Sequence, residues 1–226
     1  MLKGFLNLFN KDSLLDQALR DTDTMLQQVE TMVRVARQAL RETDKAPRDL
    51  DISGMDQVVN RYESEVRRKV FTHLSVMGAE QVYPSLVLVS IIIDVERVGD
   101  YAKNIVELAR EHEPQLKGGP FEEELRRIEE HVLDRLLPQG RQAFQQNDEK
   151  SAAALIADLY WINPACDRIA NILVAGKQPV PLDPCTQVTL ALYVRYLKRI
   201  NSHWLNILTS VVNPFDRIGF RRAPQD

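Results

Sequence analysis

The chain has 226 residues, a formal net charge of -3 at pH 7 and only two cysteines. This length suits one large domain or two small ones, and a hydrophobic share of 44% is enough to bury a core. A slightly acidic chain lacks the basic patch of a nucleic-acid-binding protein, so nucleic acid is not expected as a partner. Cys166 and Cys185 lie in no Cys or Cys/His cluster. They argue against a disulfide framework or a structural zinc site, and favour a reduced, cytoplasmic setting.

The N-terminal stretch is apolar, but its apolar part is short and no small-residue cleavage site follows, so no signal peptide is predicted. The longest apolar run, near Val87, is well short of the roughly 20 residues that span a bilayer, and no transmembrane helix is expected. The first residues could form a short amphipathic segment that touches a membrane surface or a partner. The simpler expectation is that they pack back on the body or fray. The apolar side chains concerned are Leu2, Phe5, Leu6, Leu8 and Phe9.

Glycine is sparse, and apolar residues recur at three- and four-residue steps along most of the chain, which predicts an all-α fold of six long helices. Pro138 and the Asn163-Pro164 pair should kink the fourth and fifth helices. The predicted helices run from Asp12 or Ser13 to about Thr43, over 56–77, over 84–113, over 121–147, from 148 or 149 to 175, and over 185–212.

The densest Pro/Gly cluster, PQLKGGP at 114–120, divides the six helices into three and three. We therefore predict a first repeat over residues 1–115 and a second over 116–226. An offset of 102 residues supports this duplication, because it matches the core positions of 88–107 with those of 190–209. The same offset pairs Arg97 with Arg199, Asn104 with Asn206 and Asp56 with Asp158.

One edge of the third helix carries acidic side chains one turn apart: Glu96, Asp100, then Asn104 and Glu107. Like charges at this spacing repel, so a cationic group is expected against the edge. An ordinary solvated edge, paired with Arg97 or Lys103, would explain the pattern without any ligand.

Alternatively, carboxylates one turn apart can both reach a cation of the Mg, Mn, Fe or Zn type. Asn104 could add an oxygen or hydrogen-bond a ligand. On the second helix, Asp56, Asn60 and Glu63 are candidates for the opposite wall. An N-terminal acid followed by surface residues explains those three equally well.

The stretch ERVGDYAKNIVE, residues 96–107, resembles the signature of the PhoU family of phosphate-signalling proteins, roughly E-R-I-G-D-H/Y-A-x-N-I-A-E. The resemblance implies two tandem three-helix bundles and metal binding by the carboxylates of Glu96 and Asp100. It also implies a regulatory adaptor at the inner face of the membrane. Such an adaptor restrains phosphate uptake and the phosphate-starvation response through a phosphate ABC transporter, a sensor histidine kinase, or both.

The second repeat departs from this signature, because Lys198 and Ser202 replace the two acids. An ammonium and a hydroxyl cannot substitute for two anionic oxygen ligands of a hard cation. We therefore predict a single site for a divalent or trivalent metal ion, with ligands drawn from Glu96, Asp100, Asn104 and Asp56.

The preferred hypothesis is a metal-dependent regulatory adaptor without catalytic activity, and the sequence leaves a homodimer open. The alternative is a carboxylate-bridged metal enzyme or a metal store. It is disfavoured because two-metal chemistry needs several bridging carboxylates, and because no histidine lies three residues after a glutamate as in di-iron bundles.

Overall fold

The computed structural model describes residues 13–77, 81–177 and 179–220, and over these ranges the chain is helical, without a strand. The all-α prediction is confirmed, and each of the six predicted helices is present, four as single helices and two as segmented ones. The helices are α1 (Leu14–Arg41), α2 (Ile52–Met77), α3 (Val82–Glu111), α4 (Glu122–Glu130), α5 (Leu137–Gln145), α6 (Glu149–Leu159), α7 (Ile162–Ala175) and α8 (Pro184–Val212).

Helices α1, α2 and α3 pack on one another and form the first three-helix unit. Helix α1 begins where Ser13 caps it, since the Ser13 hydroxyl accepts a hydrogen bond from the backbone N–H of Asp16. Gly99 lies where α3 meets the other two helices, and a Cβ atom there would make ordinary van der Waals contacts, 3.4 Å from Val29 and 3.5 Å from Val59. The acidic edge of α3 therefore lies on a helix that is packed against α1 and α2.

The two segmented helices are interrupted about one turn before the prolines that were predicted to kink them. A π-helical turn, His131–Leu136, joins α4 to α5 ahead of Pro138, and a break at 160–161 separates α6 from α7 ahead of Pro164. A proline ring clashes with the carbonyl four residues earlier, which explains why the helix deforms on the N-terminal side of the proline.

The halves share one continuous core, in which α3 packs along α8. The connector between the halves, residues 114–120, is hydrogen-bonded to α1, because the backbone N–H of Leu116 donates to the carbonyl of Leu40 over 2.9 Å. The division at residue 115 stays a prediction of the sequence.

The apolar segment at residues 2–9 lies outside the described residues. Among the helices that the structure describes, none is both long and apolar enough to cross a membrane.

Candidate metal site on the third helix

Glu96 and Asp100 lie one turn apart in the middle of α3, on the side that faces α2. The neighbouring positions Val95, Val98 and Ala102 are fully buried, so they anchor this part of the helix in the core. The side chains of Glu96 and Asp100 keep 16% and 31% of their surface exposed. An ion could therefore reach both carboxylates from solvent.

The carboxyl group of Asp100 lies close enough to that of Glu96 to change how Glu96 ionises. Burial, and after it the negative charge of Asp100, raise the pKa of Glu96 from 4.5 to about 7, while the guanidinium of Arg97 acts in the opposite direction. The charge of Glu63 on α2 adds to the increase. When both are ionised, Glu96 and Asp100 carry more negative charge than Arg97, their shared ion-pair partner, can neutralise.

Arg97 is the cation against the acidic edge, as the repulsion between the acids predicts, but it comes from α3 itself. Its Nη1 atom lies 2.8 Å from Asp100 Oδ2, and its Nε atom lies 3.4 Å from Glu96 Oε2. These contacts confirm Arg97 as an ion-pair partner of the two acids. Because the Arg97 side chain is 52% exposed, it can move away when another cation arrives.

Both acids of α2 that could face the site have a cation of their own, and Arg67 Nη2 lies 2.7 Å from Glu63 Oε1. The Lys103 ammonium lies 3.2 Å from Asp56 Oδ2, so the first of the predicted ligands from α2 already has a cation. Glu63 follows Asp56 by seven residues, about 10 Å along a helix, which brings it level with Glu96. Buried Asp56 keeps one unpartnered oxygen, Oδ1. Asn104 continues the α3 edge one turn beyond Asp100 and is partly buried.

The chemistry of Glu96 and Asp100 fits one hard cation, although the described residues contain no group of three or more His, Cys, Asp or Glu arranged around a metal position. Ions such as Mg²⁺ keep several water ligands and need only one or two carboxylates from the protein. A cation between the two carboxylates would also relieve the repulsion that raises the pKa of Glu96. The pair therefore suits a solvent-accessible two-carboxylate site.

At the position of the second half that is equivalent to Glu96, the side chain itself is a cation, Lys198. The Lys198 ammonium lies 2.5 Å from Asp167 Oδ2, and Arg195 lies 3.0 Å from the other oxygen. Ser202 accepts a hydrogen bond from the Asn163 amide over 3.0 Å. Lysine and arginine thus neutralise the carboxylate at this position, in keeping with the single site predicted for the first half.

Sequence reasoning missed a polar contact on the other side of α3, where it meets α8. Asp94 Oδ1 lies 2.7 Å from His203 Nδ1 and accepts a hydrogen bond from the Asn206 amide over 2.9 Å. Tyr101 packs beside this contact, and the Nε–H of Arg199 donates to its hydroxyl over 3.1 Å. The offset of 102 residues was the feature of the sequence that could have indicated this contact, because it relates Tyr101 to His203 and Asn104 to Asn206.

Comparison with known families identifies the segment that carries the acidic edge. The family model "PhoU domain" matches residues 22–109, which cover most of α1, the whole of α2 and nearly all of α3. Residues 22–109 are thus similar to a PhoU domain. The resemblance that the motif at 96–107 indicates is therefore confirmed for this segment.

Solved structures extend the likeness to the whole PhoU fold. The crystal structure of PhoU from Pseudomonas aeruginosa superimposes with a TM-score of 0.76 at 20% identity, over 89% of this chain and 97% of that one. The phosphate transport system regulatory protein PhoU from Streptococcus pneumoniae gives a TM-score of 0.74 at 18% identity, over 87% and 92% of the two chains. The search of curated sequences gives no match.

Proposed function

We propose that this chain regulates phosphate transport by binding a phosphate transporter, its sensor kinase, or both, at the cytoplasmic face of the membrane. The observation that carries the proposal is the PhoU domain over residues 22–109, which contains the complete acidic edge. The Streptococcus pneumoniae structure, which is described as a phosphate transport system regulatory protein, shares the fold over 92% of its length.

An adaptor fits the arrangement of acids better than an enzyme does. Two-metal hydrolysis requires several carboxylates that bridge neighbouring ions. In this chain the acids of the first half form a pair, and in the second half Lys198 and Arg195 neutralise Asp167. Regulation through binding is the activity that such a site supports.

Exposed apolar side chains at the end of α2 and the start of α3 supply a surface for the partner, which we call the tip surface. It comprises Phe71, Val76, Met77, Val82, Tyr83 and Leu86. Phe71 is 74% exposed and Val76 is 75% exposed, so neither contributes to the core. Exposed apolar groups concentrated in one region commonly mark a protein interface.

Affinity purification tests the adaptor proposal. A tagged chain, expressed at its natural level in phosphate-limited and phosphate-replete cells and cross-linked before lysis, should recover subunits of a phosphate transporter or a sensor kinase. The Phe71→Ser variant should lose this recovery, whereas Val174→Ser, a matched exposed apolar position on α7, should retain it. Absence of both partners from the wild-type sample, or turnover of a phosphoester by the purified metal-loaded protein, would contradict the proposal.

We further infer that Glu96 and Asp100 hold one divalent or trivalent metal ion of the Mg, Mn, Fe or Zn class, with Asn104 able to add an oxygen. The bound ion would supply a fixed positive charge that neutralises the acidic edge of α3. The support for this inference is the position of Glu96 and Asp100 one turn apart on α3, with part of each side chain open to solvent, together with the raised pKa of Glu96.

Metal analysis of purified protein tests the ligand assignment. After loading with Mn²⁺ and desalting, the wild type should retain about one ion per chain, and the Glu96→Gln, Asp100→Asn double variant should retain essentially none. Asp56→Asn should retain nearly all of its metal, because Lys103 already occupies that carboxylate. Equal metal content in the wild type and the double variant would remove the site.

A further inference from the structure

An open groove of about 540 Å³ lies near the beginning of α1, between this helix, the first turns of α3 and the C-terminal ends of α5 and α8. Its volume falls within the range of ligand pockets, roughly 300 to 1,000 Å³. Leu19 of α1 and Phe144 of α5 line the groove and are partly exposed, while the apolar side chains of α3 that line it are buried. The main apolar lining residues are Leu19, Val87, Leu88, Ile91, Phe144 and Val211.

The charged groups that line the groove lie on its α1 side. Both oxygens of Asp23 accept hydrogen bonds from Arg141, over 2.7 and 3.0 Å, so this acid is neutralised. Arg20 is exposed, and an occupant of the groove therefore meets a cation at this edge. The hydroxyls of Thr24 and Ser210 donate to carbonyls of their own helices. A fitting occupant is apolar where it meets α3 and keeps its own cations away from Arg20.

The chain ahead of α1 has a sequence of this kind. Residues 1–12, MLKGFLNLFNKD, lie outside the described residues. At a helical period their large apolar side chains fall on one side, whereas Lys3, Asn7 and Asn10 fall on the other. The spacing i, i+3, i+4 and i+7 is the one by which an amphipathic helix binds a hydrophobic groove. It is formed by Leu2, Phe5, Leu6 and Phe9.

The position of Ser13 brings this segment within reach of the groove. Ser13 caps α1 with extended backbone, φ -67° and ψ 151°, so the preceding chain leaves the axis of α1 there. Leu19 lies six residues further on, about 9 Å along the helix, and Thr24 lies about 16 Å along it. Residues 2–9 as a helix would be about 12 Å long, and the connector of three residues can extend about 10 Å. A segment that turns back at this connector therefore matches the groove in length.

We propose that residues 1–12 occupy this groove as a short amphipathic helix that runs back along the beginning of α1. The apolar stripe faces the groove, and Lys3 on the opposite side faces solvent, away from Arg20. Because the segment is covalently attached, its effective concentration is on the order of millimolar, and a modest affinity is enough to keep it bound. This inference rests on neither the metal site nor the proposed regulatory function.

A membrane surface is the competing destination of the stripe. Helices that lie on membranes are rich in lysine and arginine on their polar face. The polar side of residues 2–10 carries one cation, Lys3, between two asparagines and a glycine. This composition favours the groove of the same chain.

Methyl NMR of the full chain tests the proposal. The Phe5→Ser, Phe9→Ser double variant should shift the groove methyl signals, whereas Asn7→Ser, the matched change on the polar side, should leave them in place. The methyl signals of Val59 and Val66, buried between the first three helices, should not move in either variant, which shows that the body stays folded. The groove signals to follow are those of Leu19, Val87, Ile91 and Val211.

A synthetic peptide of residues 1–12 provides the second measurement. Added to the double variant, it should return the groove signals toward their wild-type positions, and it should bind at least tenfold more tightly than the same peptide with serine at positions 5 and 9. Groove signals that are identical in the wild type and the double variant would overturn the proposal, as would a peptide that leaves them unmoved. Unchanged groove signals, together with pelleting on phosphatidylglycerol and phosphatidylcholine vesicles that only the double variant loses, would assign the stripe to a membrane surface instead.

Discussion

Tyr101 stacks on His203, with ring centroids 5.8 Å apart and an angle of 24° between the planes. These two residues are separated by 102 positions, the offset that relates the two halves in the sequence. When a residue contacts its own counterpart in a second copy, the contact lies on the two-fold axis that relates the copies. The stacking is therefore what a duplicated chain packed about an approximate two-fold axis would produce, with α3 and α8 at its centre.

A buried ion pair joins the halves away from this axis. Arg41 Nε lies 2.9 Å from Glu129 Oε1, which also accepts a hydrogen bond from the Tyr193 hydroxyl over 2.7 Å. Removing the arginine leaves the buried Glu129 with only the more distant Arg37, whose Nη2 lies 3.6 Å from Glu129 Oε2, so Arg41→Ala should lower the free energy of unfolding by about 3 kcal/mol. Urea denaturation measures this change.

The control for that experiment is Arg126→Ala, which breaks an exposed pair with Glu130 one turn along α4. Exposed pairs at this spacing contribute only about 0.3 to 0.5 kcal/mol. Similar losses in the two variants would show that the Arg41 contact is not a special link between the halves.

Two helical glycines should respond in opposite ways to the same substitution. A Cβ atom at Gly140 would lie 3.0 Å from Cζ3 of the buried Trp204 ring, whereas at Gly99 the nearest atom is a Val29 methyl at 3.4 Å. Gly140→Ala should therefore destabilise the protein by about 1 to 3 kcal/mol through overpacking. Gly99→Ala should be neutral or stabilise it by up to about 1 kcal/mol, because alanine favours the helix. Thermal unfolding of both variants checks the contrast.

The raised pKa of Glu96 should make stability depend on pH in metal-free buffer. The unfolded chain releases the Glu96 proton near the ordinary value of 4.5, whereas the folded chain holds it until about 7. Between these values the folded state binds more protons, so its stability should fall as pH rises through this window and level off above it. Glu96→Gln should remove this contribution and be more stable than the wild type at pH 8, by about 1 kcal/mol.

Arg97→Gln gives the matched test of the same effect. The Arg97 guanidinium lowers the pKa of Glu96, so its removal should steepen the loss of stability between pH 5 and 8. Chemical denaturation across this range, with a chelator present, measures both variants. A wild-type profile parallel to that of Glu96→Gln would contradict the assigned cause.

The helices could be predicted closely because their signals are local. Each signal spans only a few neighbouring residues. The signals are the helix cap at Ser13, the apolar stripe through Met25, Val29 and Met32, and the positions of the prolines and glycines. The interruptions near Pro138 and Pro164 were displaced by about a turn, since a proline acts on the carbonyl four residues before it.

The pairing of side chains across helices could not be predicted in the same way. The sequence identifies Glu96 and Asp100 as neighbours because they share one helix, but the partner of Asp56 depends on how α2 and α3 are aligned. In the structure Asp56 pairs with Lys103, and Glu63, two turns further along α2, comes level with Glu96. The Arg41 and Glu129 pair, 88 residues apart, depends on the packing of the two halves and has no local signature.

Phosphate uptake in living cells tests the regulatory proposal most directly. The gene would be deleted in its own species and the initial rate of radiolabelled phosphate uptake measured in phosphate-replete medium. The proposal predicts unrestrained uptake in the deletion strain, restraint on return of the wild-type gene, and failure of the Glu96→Gln, Asp100→Asn variant expressed at equal abundance. Uptake that is the same in the deletion and complemented strains would contradict it.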